Sequence, residues 1–144
     1  MYAFVNIVAF TLAAMAGVSS VRAQAACARN TTVFLGETCD IISQTFNVST
    51  YQLAFVNQNK IDAACDNLAV GEPLCLGVVG QDCNTTHVVQ SGDFCVSIAD
   101  GAGIPISTLL TNNPNVNSDC SNIYPNEVLC TSAETFNYTE TADA

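Results

Sequence analysis

The sequence predicts an α+β protein made of two tandem β-α-α-β modules, each small and each braced by disulfides. Three observations carry this reading. The cysteines repeat at nearly constant spacing, the residues between them repeat as well, and each repeat is too short to hold itself together by apolar burial alone. The eight cysteines stand at 27, 39, 65, 75 and then 83, 95, 120, 130, with gaps of 12, 26, 10 and 12, 25, 10. Two independent frameworks rarely agree so closely, so the chain is an internal duplication. CARNTTVFLGETC lies over CNTTHVVQSGDFC, placing Gly36 on Gly92 and Glu37 on Asp93. CDNLAVGEPLC lies over CSNIYPNEVLC without a gap. The one-residue difference falls between VNQNKIDAAC and NNPNVNSDC, where an insertion marks a surface loop.

Each element follows from local chemistry. A β-rich run (Thr31–Leu35; Thr86–Gln90) meets a Gly-acid turn. A first helix is expected over Cys39–Phe46 and Cys95–Ala99, stopped by Asn47 and by Gly101 or Gly103, residues that tolerate left-handed backbone. Ser49 is placed to cap a second helix over Thr50–Val56, with Tyr51, Leu53, Ala54 and Val56 as its apolar residues. In the second repeat Pro105 starts the matching helix before Ile106, Leu109 and Leu110. Asn-rich loops follow (57–64; 112–119), and the turns at 70–73 and 124–127 lead into closing strands at Leu74–Leu76 and Val128–Thr131.

At about 50 residues, a module of this size has an apolar core that barely offsets the entropy of ordering the chain. Two disulfides, each contributing roughly 2–4 kcal/mol, close the deficit. The cysteine spacings contain no CxxC or HxxxH pair, so a metal site is not expected. Four cysteines allow three pairings per module, and the sequence leaves the choice open. The repetition argues for pairing within modules, with no thiol left free.

Composition excludes several functions. Three basic against 13 acidic side chains give a formal charge of −10, a poor match to nucleic acid or to an anionic membrane surface. The one His, His87, has Thr31 at its repeat position and is read as packed or solvent-facing. Glycoside hydrolysis needs two carboxyls held at fixed separation in a deep cleft, which modules this small hardly provide. No catalytic residue and no cofactor is therefore assigned.

Residues 1–23 read as a secretory signal peptide. An apolar run from Ile7 to Val18 precedes Val21-Arg22-Ala23, with small or compact side chains at both cleavage-determining positions. Its length of about 12 residues falls short of the ~20 a bilayer span needs. The organisation expected is then a first module at 27–77, a linker at 78–82, a second module at 83–131 and an acidic disordered tail at 132–144. Sequons at Asn30, Asn47, Asn84 and Asn137 are candidate N-glycosylation sites in an exported chain.

The second repeat resembles the LysM family of carbohydrate-binding modules, in the four-cysteine form of secreted fungal proteins. His87-Val88-Val89-Gln90-Ser91-Gly92-Asp93-Phe94-Cys95 resembles the family's opening strand and Gly-Asp turn, and Ser97-Ile98-Ala99 its first helix. Leu109-Leu110 with Asn113 to Asn117 resembles the second helix and its Asn-Pro loop, and Tyr124 to Cys130 the closing strand. The first repeat is similar, with Glu37 where Asp is usual and Gln58 where Pro is usual. The resemblance implies a two-stranded antiparallel sheet with both helices on one side. It also implies binding of chitin and N-acetylglucosamine oligomers, without catalysis, in a shallow groove between the loop after the first strand and the loop after the second helix. In the first module that groove would comprise Gly36, Glu37 and Thr38 facing Asn57, Asn59, Ile61 and Asp62. In the second it would comprise Gly92, Asp93 and Phe94 facing Asn113, Pro114, Asn115, Val116 and Asn117. The chemistry of these residues agrees. Loop amides can match the N–H and C=O of an N-acetyl group once a Gly lets the chain approach, while Ile61, Val116 and Phe94 offer apolar contact to sugar faces. The resulting expectation is a secreted chitin-binding effector-like protein, monomeric or bridged into a dimer by ligand, that sequesters chitin fragments or shields a fungal wall. A disulfide-rich inhibitor or toxin acting on a protein, or a peptidoglycan-binding module, is the alternative.

Overall fold

The computed structural model describes residues 25–62, 64–139 and 142; the proposed signal peptide lies outside them. Eight elements run in the order β1 (Cys27–Thr32), α1 (Cys39–Phe46), α2 (Thr50–Val56), β2 (Pro73–Val78), β3 (Thr86–Val88), α3 (Cys95–Ala102), α4 (Ile106–Asn112) and β4 (Val128–Cys130). β1 pairs antiparallel with β2, and β3 with β4, giving two separate two-stranded sheets. This is β-α-α-β twice. The cystines join Cys27 to Cys75, Cys39 to Cys65, Cys83 to Cys130 and Cys95 to Cys120, so every pairing stays within its module and no cysteine among the described residues is free. In each module one cystine ties the N-terminal end of the module to its closing strand, and the other ties the start of the first helix to the loop after the second.

The duplication extends to the cores. Val33, Ile42, Val48, Leu53, Ile61 and Leu74 form the first, and Val89, Ile98, Ile104, Leu109, Val116 and Leu129 occupy the same places in the second. Helix ends follow the expected chemistry. Ser49 Oγ accepts from Gln52 N at 3.1 Å, and Asn47 closes α1 in left-handed backbone with φ 49°. Helix α3 runs to Ala102 and stops at Gly103 (φ 69°), so Gly101 lies inside it. Strand β2 continues to Val78, past the Leu76 expected, because Val78 pairs with Cys27.

The two modules are locked together. Val128 N donates to Thr50 Oγ1 at 3.0 Å, and Gln44 Nε2 to Asn126 O at 3.1 Å. The buried Gln52 amide is a hub: Nε2 donates to Leu76 O (2.7 Å) and Asp82 Oδ1 (2.8 Å), while Oε1 accepts from Cys83 N at 2.9 Å. Arg29 holds Asp82 through Nε and a terminal guanidinium nitrogen, each at 2.7 Å. Gly77 is required beside this hub, since a Cβ there would collide with Asp82 Oδ1 and Gln52 Nε2. Burial pushes the Asp82 carboxyl up, but hydrogen bonds from Arg29 and Gln52 outweigh it and hold the carboxyl below its usual range.

The tail departs from expectation. Residues 132–139, expected to be disordered, pack back across both modules. Asn112 Nδ2 donates to Glu134 O at 2.8 Å and Asn112 Oδ1 accepts from Phe136 N at 2.8 Å. The Tyr138 ring meets Tyr51 edge-on at 5.2 Å and lies 5.9 Å from Phe55, while its hydroxyl donates to Gln52 Oε1 at 3.3 Å. Two aromatic residues in an acidic stretch are enough to dock it, because α2 leaves Tyr51 and Phe55 incompletely buried by its own module.

Candidate functional site

In each module the loop after the first strand is shaped by one Gly and one acid. Gly36 (φ +87°) and Gly92 (φ +92°) take left-handed backbone that a β-carbon would strain. The following carboxylate then folds the loop onto itself: Glu37 Oε2 accepts from Phe34 N, and Asp93 Oδ2 from Gln90 N, each at 2.8 Å. Asp93 also meets His87 Nε2 at 2.7 Å. The Gln90 N–H and then His87 hold the Asp93 carboxyl below its usual range. His87 thus braces the turn. Thr38 caps α1 by accepting from Ile41 N at 3.3 Å; in the second module Phe94 stands at this position, 69% exposed, with Ser97 Oγ accepting from its N–H.

The facing loops are equally alike. Asn57 and Asn113, expected as ligand contacts, are buried, and their side chains are consumed internally. Asn57 Nδ2 donates to Leu53 O and Cys75 O while Oδ1 accepts from Cys75 N. Asn113 makes the same three bonds, to Leu109 O, Cys130 O and Cys130 N. They staple the second helix to the closing strand and offer no side-chain atom to a ligand. Ile61 and Val116, expected to pack on sugar faces, are core residues only 4% and 7% exposed. The loops demand this: with so few apolar residues after each second helix, the one present is drawn into the core.

What remains accessible is Gly36, Thr38, Asn59 and Asp62 in the first module and Gly92, Phe94, Pro114, Asn115 and Asn117 in the second. Thr38 and Asp62 line one cavity of about 250 Å³, with Ala54 and the Cys39–Cys65 cystine in its walls. The two loops therefore converge in the first module. Asn117 orders its own loop, its Oδ1 accepting from Ser121 N at 2.9 Å as Asp62 Oδ1 accepts from Asp66 N at 3.3 Å, and Asn115 Nδ2 donates to Glu127 Oε1 at 2.7 Å. Pro114 faces Tyr51 and the tail, in a separate cavity with Phe136 and Tyr138.

The sequence reading missed Tyr124, which closes the first module's cavity from the second module. Its hydroxyl donates to Asp40 Oδ1 at 3.4 Å. Burial, together with the nearby Asp40 and Glu127 charges, pushes the Tyr124 phenol up to about 12, so it stays a neutral donor. Burial likewise raises the Glu127 and Asp40 carboxyls against the hydrogen bonds they accept. A signal existed in the repeat: Tyr124 stands where the first module has Ala69. Among the described residues no group of three His, Cys, Asp or Glu side chains is arranged to hold a metal ion.

This geometry defines a small cystine-braced module, used twice, whose loops present backbone groups, short polar side chains and, in the second module, Phe94. The LysM domain family matches at residues 31–77 and again at 87–132. The chain belongs to the LysM family. It is 30% identical over 128 residues to the secreted LysM effector Blys8 of Beauveria bassiana, covering 66% of this chain and 31% of Blys8. It is 29% identical over 121 residues to the secreted LysM effector LysM1 of Trichophyton rubrum (68% and 48%). To the non-secreted LysM effector LCP1 of Gibberella moniliformis it is 33% identical over 117 residues (80% and 15%). The chain thus spans less than half the length of each of these relatives.

Proposed function

We propose that the protein binds chitin-type oligomers of N-acetylglucosamine without cleaving them, and that it acts outside the cell as an effector that sequesters chitin fragments or shields a fungal wall. The observation that carries this reading is the convergence of Thr38 and Asp62, from the two loops of the first module, on one small cavity. A neutral N-acetyl sugar needs matched donors and acceptors at close approach, and loops turned by Gly36 and Gly92 supply them. The net charge of −10 is tolerated by a neutral ligand and disfavours an anionic one. The absence of Trp disfavours a broad flat stacking platform. Family membership supports the same reading, and two secreted relatives support export. Retention on chitin beads, with passage through cellulose beads, is the expected outcome; passage through both, with the cystines intact, contradicts it.

A further inference from the structure

We infer that Asn137 carries an N-linked oligosaccharide whose first N-acetylglucosamine seats in the cavity beside the docked tail, so that the sugar fastens the tail to both modules. This rests on the export half of the reading above and not on chitin recognition. Asn137-Tyr138-Thr139 is one of four sequons, and all four asparagines are exposed. Asn137 differs in its surroundings. Burial alternates along this segment: Phe136 and Tyr138 turn inward, while Thr135, Asn137 and Thr139 stay exposed, the pattern of an extended chain laid on a surface. The acceptor amide therefore points outward between two residues that hold the tail down, and a sugar attached before folding leaves docking possible. A lipid-linked oligosaccharide diphosphate is the donor an export route supplies. Asn137 Nδ2 bonds to the anomeric carbon, the bond from that carbon to the diphosphate breaks, its electron pair leaves with the phosphate, and the amide releases one proton.

Asn137 opens onto a cavity of about 270 Å³, walled by Tyr51 of α2, by Thr111 and Pro114 of the second module, and by Phe136 and Tyr138. The three rings stand together, Tyr138 meeting Tyr51 at 5.2 Å and Phe136 at 6.3 Å. Their faces suit the C–H face of a pyranose, and the Thr111 hydroxyl oxygen can accept from a sugar hydroxyl or an acetamido N–H. The volume is small for a free ligand and suits one ring. A covalent tether keeps that ring at high local concentration, so weak contacts suffice to seat it. The seated ring would cover bonds that hold the tail. Asn112 grips Glu134 O and Phe136 N, the Tyr138 hydroxyl reaches Gln52, and Gln81 Oε1 accepts from Thr139 N at 2.9 Å. Covering them slows the local opening to which an exposed terminal segment is prone.

The test compares the full chain secreted by a yeast host, the same chain trimmed by an endoglycosidase to one sugar per site, Asn137→Gln and Thr139→Ala. Glycopeptide mass spectrometry should find sugar on Asn137 in the parent and none at that position in either variant. Hydrogen exchange over residues 136–138 should be roughly fivefold slower or more in the parent than in Asn137→Gln. Thr139→Ala keeps the asparagine but loses the sequon, and should exchange like Asn137→Gln. The trimmed form should keep the parent's protection, because the first ring makes the contacts. An unmodified Asn137 beside occupied sequons elsewhere overturns the inference, as does equal exchange in the parent and Asn137→Gln. Protection that vanishes on trimming overturns the seat of the first ring. A chain with no sugar at any sequon overturns the inference together with the export reading. A parent that passes through chitin beads contradicts the chitin reading and leaves this one standing.

Discussion

The two modules share a framework almost bond for bond and differ in what they expose. Gly71 N donates to Val33 O as Asn126 N does to Val89 O, and Asn67 and Asn122 order their loops through the same bonds to residues 60, 62 and 115, 117. Yet the first module shows Phe34 and Leu35 at its turn, where the second shows Gln90 and Ser91. The first has Ala69 where the second sends Tyr124 across the module boundary. Divergence is thus concentrated outside the cystines, the core and the buried asparagines. The parts a duplicate cannot change are those whose loss leaves a buried donor or a void.

The largest test of this equivalence lies in the cystines. Replacing Cys27 and Cys75 together, or Cys83 and Cys130 together, should each cost about 2–5 kcal/mol in chemical denaturation. A much smaller loss in one module breaks the symmetry. Next come the buried asparagines: Asn57→Ala and Asn113→Ala should each cost about 1–3 kcal/mol by stranding a buried N–H and two carbonyls. If either variant instead keeps full stability and loses chitin binding, that asparagine is a ligand contact after all. The Gln52 hub has no counterpart in the second module, where Thr108 stands at the repeat position. Gly77→Ala should destabilise by about 1–3 kcal/mol through displaced Asp82 and Gln52, read in the same denaturation experiment. Its counterpart two residues beyond Cys130 is Ser132, which already carries a β-carbon. An undiminished stability in Gly77→Ala removes the hub as a difference between the modules.

Two smaller effects sharpen the contrast. Because the folded Asp82 carboxyl is held low, its contribution to stability is complete above its unfolded pKa and lost as pH falls through the lower, folded value. Asp82→Asn should therefore flatten the acid side of the stability profile, read from melting temperatures below about pH 4. An unchanged slope removes Arg29–Asp82 as the acid-sensitive lock. In the second module His87→Ala should let the Asp93 carboxyl rise toward its usual value in an NMR titration, while the fold stays intact. No rise means the Gln90 N–H alone sets it.

Much of the fold was legible in the sequence for physical reasons. Caps such as Ser49 and stops such as Asn47 act within a few residues, so α1 and α2 could be placed from neighbouring sequence. Cysteine spacing marked the modules because disulfides supplement a core too small to hold a chain of this size by itself. The site was read less well. Asn57, Asn113, Ile61 and Val116 look like loop residues, and only the packed structure reveals that their side chains turn inward to the closing strand and the core. Tyr124 and the tail aromatics were missed because their partners, Asp40 and Tyr51, lie in the first module, far along the chain and beyond any local pattern.

The most direct test is residue-resolved NMR of the full chain during titration with chitotriose. Amide signals should shift first and most at residues 36–38 and 59–62 of the first module and at 92–94 and 115–117 of the second, with both strand cores unmoved. Shifts confined to the outer strand faces, or none at saturating sugar, contradict sugar binding by these loops.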